Sequence, residues 1–472
     1  MVRWADIPVG LQANMKKRTA PFGQTPWVEA PNLHEARIAI ITTAAIHRAD
    51  DRPFTGHEGD FRILPGNIDY RDLAMTHSSI NFDRSAYQQD VNVCFPLDHM
   101  RTLAESREIG SVADWHYSFM GSTVPQRMES AAKEVSKLLF GDKVNLVLLI
   151  PIWPGCTNAV GVLAQYIERP ESEGGAGIAT VQISLVRPVT ESVRPSRALW
   201  VPFPFGRPLG PPNHPEIQLD VLRRTLALVD QASGPVLVDY PDDGGDVPDE
   251  DQAWSCPVTF PTPVPEGESG ALTAQLQQEA QLLRPWFDEG LHSRGRTTVG
   301  TSGKGVDAID EMLEILARFA VNVDMAVPDG YAHPMPQLLR YITDDVRDFY
   351  YEAATSKPGA VFPSPNDLLE WFFLTTVAGE VFYQVREKLL ASDMLVLMAK
   401  GLDDELIDVR LSLLAGTTAE SAGGILSHPG VGRDLLQKSA EVFQAAQPNR
   451  LSWTIVPISM RDRRGEHISG NR

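Results

Sequence analysis

Between Val144 and Glu168 the chain reads VNLVLLIPIW, then Pro154-Gly155-Cys156, then TNAVGVLAQYIE. Apart from Asn145 the first run is apolar, without the alternation of a half-buried strand, so the pattern predicts a strand covered on both faces. The last run is long enough for a helix, and Gly161 and Ala164 let that helix lie close to a sheet. A buried strand passing through a short turn into a helix is half of a βαβ unit, which commits the chain to a layered sheet. Other segments fit the same unit. RIAIITT (37–43), IATVQISL (178–185) and ALWVPF (198–203) are short, branched runs bounded by turn residues. Leu97–Glu108, Gln126–Phe140, about Thr157–Glu168 and Pro215–Gln231 are helix candidates. Residues 35–239 are therefore expected to form an α/β domain of three layers with a mostly parallel sheet.

The character then changes. Asp239–Asp251 holds seven acids and no base among glycines and prolines, and Pro/Gly content stays high to about Gly270. Residues 240–270 read as a solvated linker. Beyond it Ala271–Glu289, Val306–Phe319, Pro336–Ala354, Pro365–Ala391 and Gly432–Ala446 carry apolar residues at helical spacing. Ser364-Pro365-Asn366-Asp367 has an N-cap, a proline at the first helical position and an acid in the first turn. A mainly α-helical C-terminal domain over 271–455 is expected. Its run LLEWFFLTTVAGEVFYQV (368–385) is apolar nearly all round, as in a buried central helix or a subunit interface.

Charge narrows the partners. The 472 residues carry 42 Lys+Arg against 61 Asp+Glu, a net −19. Nucleic acid and anionic membrane surfaces select basic patches, so neither is expected as a partner. No apolar run is long enough to span a bilayer, and residues 1–31 have no apolar signal core. The three cysteines, Cys94, Cys156 and Cys256, are odd in number and far apart. That is neither a disulfide framework nor a zinc spacing, and it suggests a reducing, cytoplasmic setting.

Cys156 falls just past the carboxyl end of a buried strand and in the first turn of a helix, the edge at which open α/β sheets bind ligands. The positive helix end favours a thiolate there. A buried structural thiol is the alternative. Upstream, Thr76–Asp83 (THSSINFD), Asp90-Val91-Asn92, FPLDH (95–99) and HYSFMG (116–121) are unusually polar. His77 and His116 are candidates for acid/base work beside Cys156, with Arg62 a contact for a carboxylate or amide. Asp83, Asp90, Trp153 and Asn158 complete the candidate substrate contacts; helix caps and turns are the plainer reading of the two acids. No HxxxH or HExxH spacing is present, so no metal is assigned, and no cofactor.

These motifs resemble a known family. Gly59-Asp60-Phe61-Arg62, HSSINFD, Asp90-Val91-Asn92, FPLD with Arg101 and Leu103, Ile109-Gly110, HYSFMG and the strand–PGC–helix unit with GVLAQYIE and GIATV are similar to the selenoprotein B family. That family supplies the substrate-specific component of glycine, sarcosine and betaine reductases and the matching D-proline reductase subunit. The resemblance spans about residues 35–200. It implies reductive cleavage of a C–N bond by a selenocysteine or cysteine in the loop after the central strand, with a second cysteine two residues on. Here the second position matches Cys156 and the first falls on Trp153, so the local partner thiol is missing. The resemblance also implies a pyruvoyl-bearing partner subunit.

The leading expectation is a reductase-like enzyme, of the amino-acid reductase type, in which Cys156 attacks a small amino acid or amine-derived substrate. An external thiol, a partner subunit or Cys94 would resolve it. The alternatives are a non-redox transferase or lyase on the same fold, and a non-catalytic interaction protein carried by the helical domain. A homo-oligomer would form through that domain.

Overall fold

The computed structural model describes residues 23–54, 58–77, Ser79, 82–121, Thr123, 125–241, Trp254, 269–322, 325–359 and 363–391. Two compact units divide them: one runs to Pro248 apart from Ser79–Asn81, and the other takes in Asp249 onward.

The first unit is α/β. Its central strand β1 (Arg37–Thr42) is buried from Ile38 onward. A short pair, β2 (Ile46–Arg48) and β4 (Leu73–Met75), forms a separate antiparallel ribbon. The remaining strands are β3 (Phe61–Pro65), β5 (Ser111–Val112), β6 (Trp115–Phe119), β7 (Leu146–Ile150), β8 (Ala179–Ser184), β9 (Arg197–Trp200) and β10 (Val236–Asp239). They join β1 in an eight-stranded sheet of order β10-β9-β8-β7-β1-β6-β3, with β5 beside the start of β1. Every pair is parallel except the edge pair β3–β6. β7 and β8 are buried on every residue, which is why their sequences run apolar without alternation.

The helices are α1 (Arg84–Gln89), α2 (Leu97–Glu105), α3 (Pro125–Gly141), α4 (Pro154–Glu168), α5 (Arg187–Val193) and α6 (Pro215–Leu226). α4 packs on β7 and β8 with α3 and α5 at its sides, while α6 meets α2, β8 and β9. Gly161 matters here, since a Cβ on it would sit 2.7 Å from Val193 of α5. The chain leaves β1 toward β6, then crosses back to β7 and steps outward to β10. The carboxyl end of β1 is thus the point where strand order reverses, and a crevice opens at such a point.

The second unit is helical: α7 (Ser269–Arg294), α8 (Ile309–Val321), α9 (Met335–Thr355), α10 (Pro365–Thr375) and α11 (Val377–Ala391). Ser364 and Asp367 form the reciprocal cap expected at the start of α10. The run expected as one helix over 365–391 is two, broken at Thr376. The cause comes from α7: buried Glu279 accepts hydrogen bonds from the Val377 and Ala378 N–H groups at 2.6 and 3.1 Å and from the Tyr350 hydroxyl at 2.9 Å. Phe287 and Phe349 (centroids 4.9 Å apart) and Phe372 and Phe382 (5.1 Å) fill the core. Trp254 packs against it. Asp345 of α9 receives the backbone N–H groups of Gly300, Thr301 and Ser302, and burial still pushes its carboxyl up to about 6. The expected helix Gly432–Ala446, the acidic run of the linker and Cys256 lie outside the described residues.

Candidate active site

Three strand exits converge on one sulfur. The β1–β7 pairing continues one residue past the strand, Thr43 N–H donating to Ile150 O at 3.0 Å, and leaves the Thr43 carbonyl at the sheet edge. Cys156, in the first turn of α4, directs its Sγ to that carbonyl at 3.3 Å. Gly121, at the exit of β6, makes the third wall. Its φ is +68°, and a Cβ there would lie 2.6 Å from Cys156 Sγ and 2.7 Å from Thr43 Cβ. Only glycine fits that seat without a shift.

His77 arrives by a different route. After β1 the chain turns at Ala45, with φ +52°, and the Ala45 carbonyl accepts the Thr76 N–H at 3.1 Å. That bond delivers the next residue, His77, to the thiol: Nε2 stands 3.4 Å from Cys156 Sγ. Arg84 of α1 donates to the His77 carbonyl at 2.8 Å. Phe82 and Trp153 meet the imidazole edge-on, at centroid distances of 5.1 and 6.3 Å. Cys156, His77 and Trp153 therefore form one cluster.

The electrostatics differ from what the helix end suggests. Cys156 is fully buried, and loss of water pushes its thiol up to about 12, against the pull of the Thr43 side chain, of the Ile152 and Trp153 backbone groups and of the Trp153 side chain. Desolvation outweighs the helix terminus, so the sulfur rests as a thiol. An adjacent imidazole is what such a thiol needs in order to ionise.

The other expected residues sit elsewhere. His116 lies in β6, and its Nδ1 accepts the Ile40 N–H at 3.0 Å, in the middle of β1. Ile40 is three residues, about 10 Å of strand, before Thr43. Burial pushes the His116 imidazole down to about 3. Arg62 of β3 pairs with Glu58 at 2.9 Å, donates to the Arg52, Phe61 and Pro53 carbonyls and stacks 4.2 Å over Phe54. It lines a groove of about 630 Å³ at the sheet edge with Trp115 and Asp60. Asp83 caps α1 through the Ser85 N–H and pairs with Arg207 at 2.7 Å. Asp90 accepts from Asn92, Asn213 and Gln218. Asn158 is buried in α4 two residues beyond Cys156. Cys94 is buried and directs its sulfur to the Val91 carbonyl at 3.8 Å; no disulfide joins it to Cys156.

Sequence reasoning missed Thr43, Gly121 and the 205–207 loop. In that loop Phe205 O accepts the Asp83 N–H at 2.9 Å and Gly206 N–H donates to Ile152 O at 2.8 Å. It thereby ties the α1 cap to the exit of β7. A glycine just after HYSFM was the available signal for Gly121. Among the described residues no group of three or more His, Cys, Asp or Glu is placed to hold a metal ion, and no helix is long and apolar enough to cross a membrane.

Comparison with known proteins agrees with the sequence resemblance. The family model described as glycine/sarcosine/betaine reductase selenoprotein B matches residues 29–151, ending just before the Trp153–Cys156 turn. The D-proline reductase subunit gamma of Acetoanaerobium sticklandii is 29% identical over 213 residues, which is 44% of this chain and 85% of that protein. The glycine reductase complex component B subunit gamma of Symbiobacterium thermophilum is 28% identical over 207 residues, 42% of this chain and 46% of the relative. The sarcosine reductase complex component B subunit beta of Peptoclostridium acidaminophilum is 27% identical over 187 residues, 38% and 41% respectively. The chain thus spans less than half the length of the glycine and sarcosine component B subunits, and the likeness is confined to its N-terminal half. No solved structure matches.

Proposed function

We propose that this chain is a reductase component of the amino-acid reductase type, with Cys156 as nucleophile and His77 as its base. The carrying observation is the Cys156–His77 contact of 3.4 Å at the point where strand order reverses. His77 Nε2 takes the thiol proton. The thiolate attacks the carbon bearing the amine of a small amino acid or amine; an S–C bond forms as the C–N bond breaks, and the leaving amine takes the proton from the imidazolium. An external dithiol, free or on a partner subunit, then cleaves the S–C bond. One of its sulfurs joins Cys156 as a mixed disulfide while the carbon leaves with a proton. The second dithiol sulfur displaces Cys156, so the dithiol ends as a disulfide and has supplied the two electrons.

The relatives' names supply the candidate substrates: glycine, sarcosine, betaine and D-proline. Incubation with each plus a dithiol, followed by intact-mass spectrometry and ammonia or amine release, tests the reading. One substrate should give product with stoichiometric dithiol oxidation, and Cys156→Ser should lose it by 10³-fold or more, about 4 kcal/mol of barrier. Unchanged turnover in the serine variant would sink the proposal. Trp153 in place of a second redox residue favours one competing reading, a non-redox lyase or transferase; product formation without dithiol consumption would select it.

A further inference from the structure

Once formed, the thiolate needs donors beyond the Thr43 side chain and the Ile152 and Trp153 backbone groups that already favour it. Its nearest acceptor contact, the Thr43 carbonyl at 3.3 Å, suits a thiol and repels an anion. The helix end is depleted as well. Pro154, the first residue of α4, has no N–H, and the N-cap side chain makes no capping bond. Imidazolium at His77 supplies a single N–H to the sulfur.

The Trp153 indole belongs to the same cluster. Its ring is laid over Gly155, where a Cβ would come within 2.7 Å of Cζ2 and 3.0 Å of Cε2, the atom bonded to Nε1. It also meets the edge of His77 at 6.3 Å, and His77 touches the sulfur. Although the residue is half-buried, its Nε1 is buried and makes no hydrogen bond of ordinary geometry. An orphaned N–H costs about 1–3 kcal/mol, so a site that retains one beside a nucleophile has a use for it. The Trp153 side chain is among the groups that pull the Cys156 thiol toward ionisation, against the larger effect of burial.

We infer that the Trp153 indole N–H is the hydrogen-bond donor for the Cys156 thiolate, unpartnered in the resting thiol and engaged when the proton passes to His77. No atom is gained or lost in the step: the proton moves from Sγ to His77 Nε2, and Nε1–H turns from an orphan into a donor to S⁻. The position that carries a redox residue in the resembling family would here carry an anion donor. The inference rests on Cys156 being the ionising nucleophile, and it makes Trp153 a positioning residue for the thiolate.

Titrating the thiolate by its ultraviolet absorbance, against Cys156→Ser as blank, tests it without any substrate. Loss of a charge-assisted bond should raise the Cys156 midpoint in Trp153→Phe by about one to two pH units. Trp153→His, which restores a ring N–H, should recover part of the shift. A Trp153→Phe midpoint that is unchanged or lowered overturns the inference. In wild-type protein labelled with ¹⁵N-tryptophan, one indole N–H resonance should move with the thiolate midpoint. A set of indole resonances that all stay fixed across that midpoint overturns it equally, without relying on any variant folding. A failure of the Cys156→Ser turnover test would remove the reaction but leave this titration readable, so the two failures are distinguishable.

Discussion

Cys156 and His116 are both buried to zero exposure, and burial keeps both neutral by pushing their titrations in opposite directions. For His116 this has a stability consequence. Its imidazole is held near 3, below the ordinary ~6.5, so its contribution is fully present above pH ~6.5 and is lost as pH falls toward 3, at about 1.36 kcal/mol per unit. His116→Asn keeps an acceptor for the Ile40 N–H and does not titrate. Urea unfolding of the wild type should therefore weaken between pH 6.5 and 4.5 by about 2–3 kcal/mol more than unfolding of the variant. Equal pH slopes would remove His116 from the account. The two histidines also show what a single sequence withholds. His77 and His116 stand in similar polar runs, yet one arrives at the thiol through the Thr76–Ala45 bond and the other bonds in mid-sheet. Their place in the fold separates them: His77 follows β4 in a loop, and His116 lies within β6.

Local elements were legible where their pattern is self-contained. β1, β7 and β8 announce themselves as continuous apolar runs, and α4 follows from PGC and its glycine. β6 was open to the same treatment: Trp115, Tyr117 and Phe119 alternate with His116 and Ser118, a period of two that its polar members disguise as a site. The break at Thr376 had no local signal, because the carboxylate that caps α11 comes from α7. Glu279→Ala should expose this dependence. It strands two backbone N–H groups and the Tyr350 hydroxyl, so urea unfolding of the helical unit followed by circular dichroism should lose roughly 3 kcal/mol or more. Glu279→Gln, which retains one acceptor oxygen, should lose less. If both variants match wild type, the cap is not what divides the two helices.

Across the whole chain the charge of −19 says little about a partner, since seven acids fall in Asp239–Asp251 and the rest are spread widely. We propose residues 35–239 as the unit that carries the chemistry, 240–270 as the joint and 271–455 as a helical addition that the relatives' likeness does not reach. Within the first unit the strand–PGC–helix pattern located the thiol, while the Thr43 carbonyl and the Gly121 seat needed the fold to bring three strand exits together. The account stands on Cys156 being a nucleophile armed by His77 and not a buried structural thiol. Alkylation of the folded protein by iodoacetamide across a pH series, with each cysteine mapped by peptide mass spectrometry, tests this most directly. Cys156 should be modified in the native state with a rate that rises with pH, and His77→Ala should slow it at least roughly tenfold at neutral pH. Modification of Cys156 only on unfolding, together with Cys94 and indifferent to His77, would contradict it.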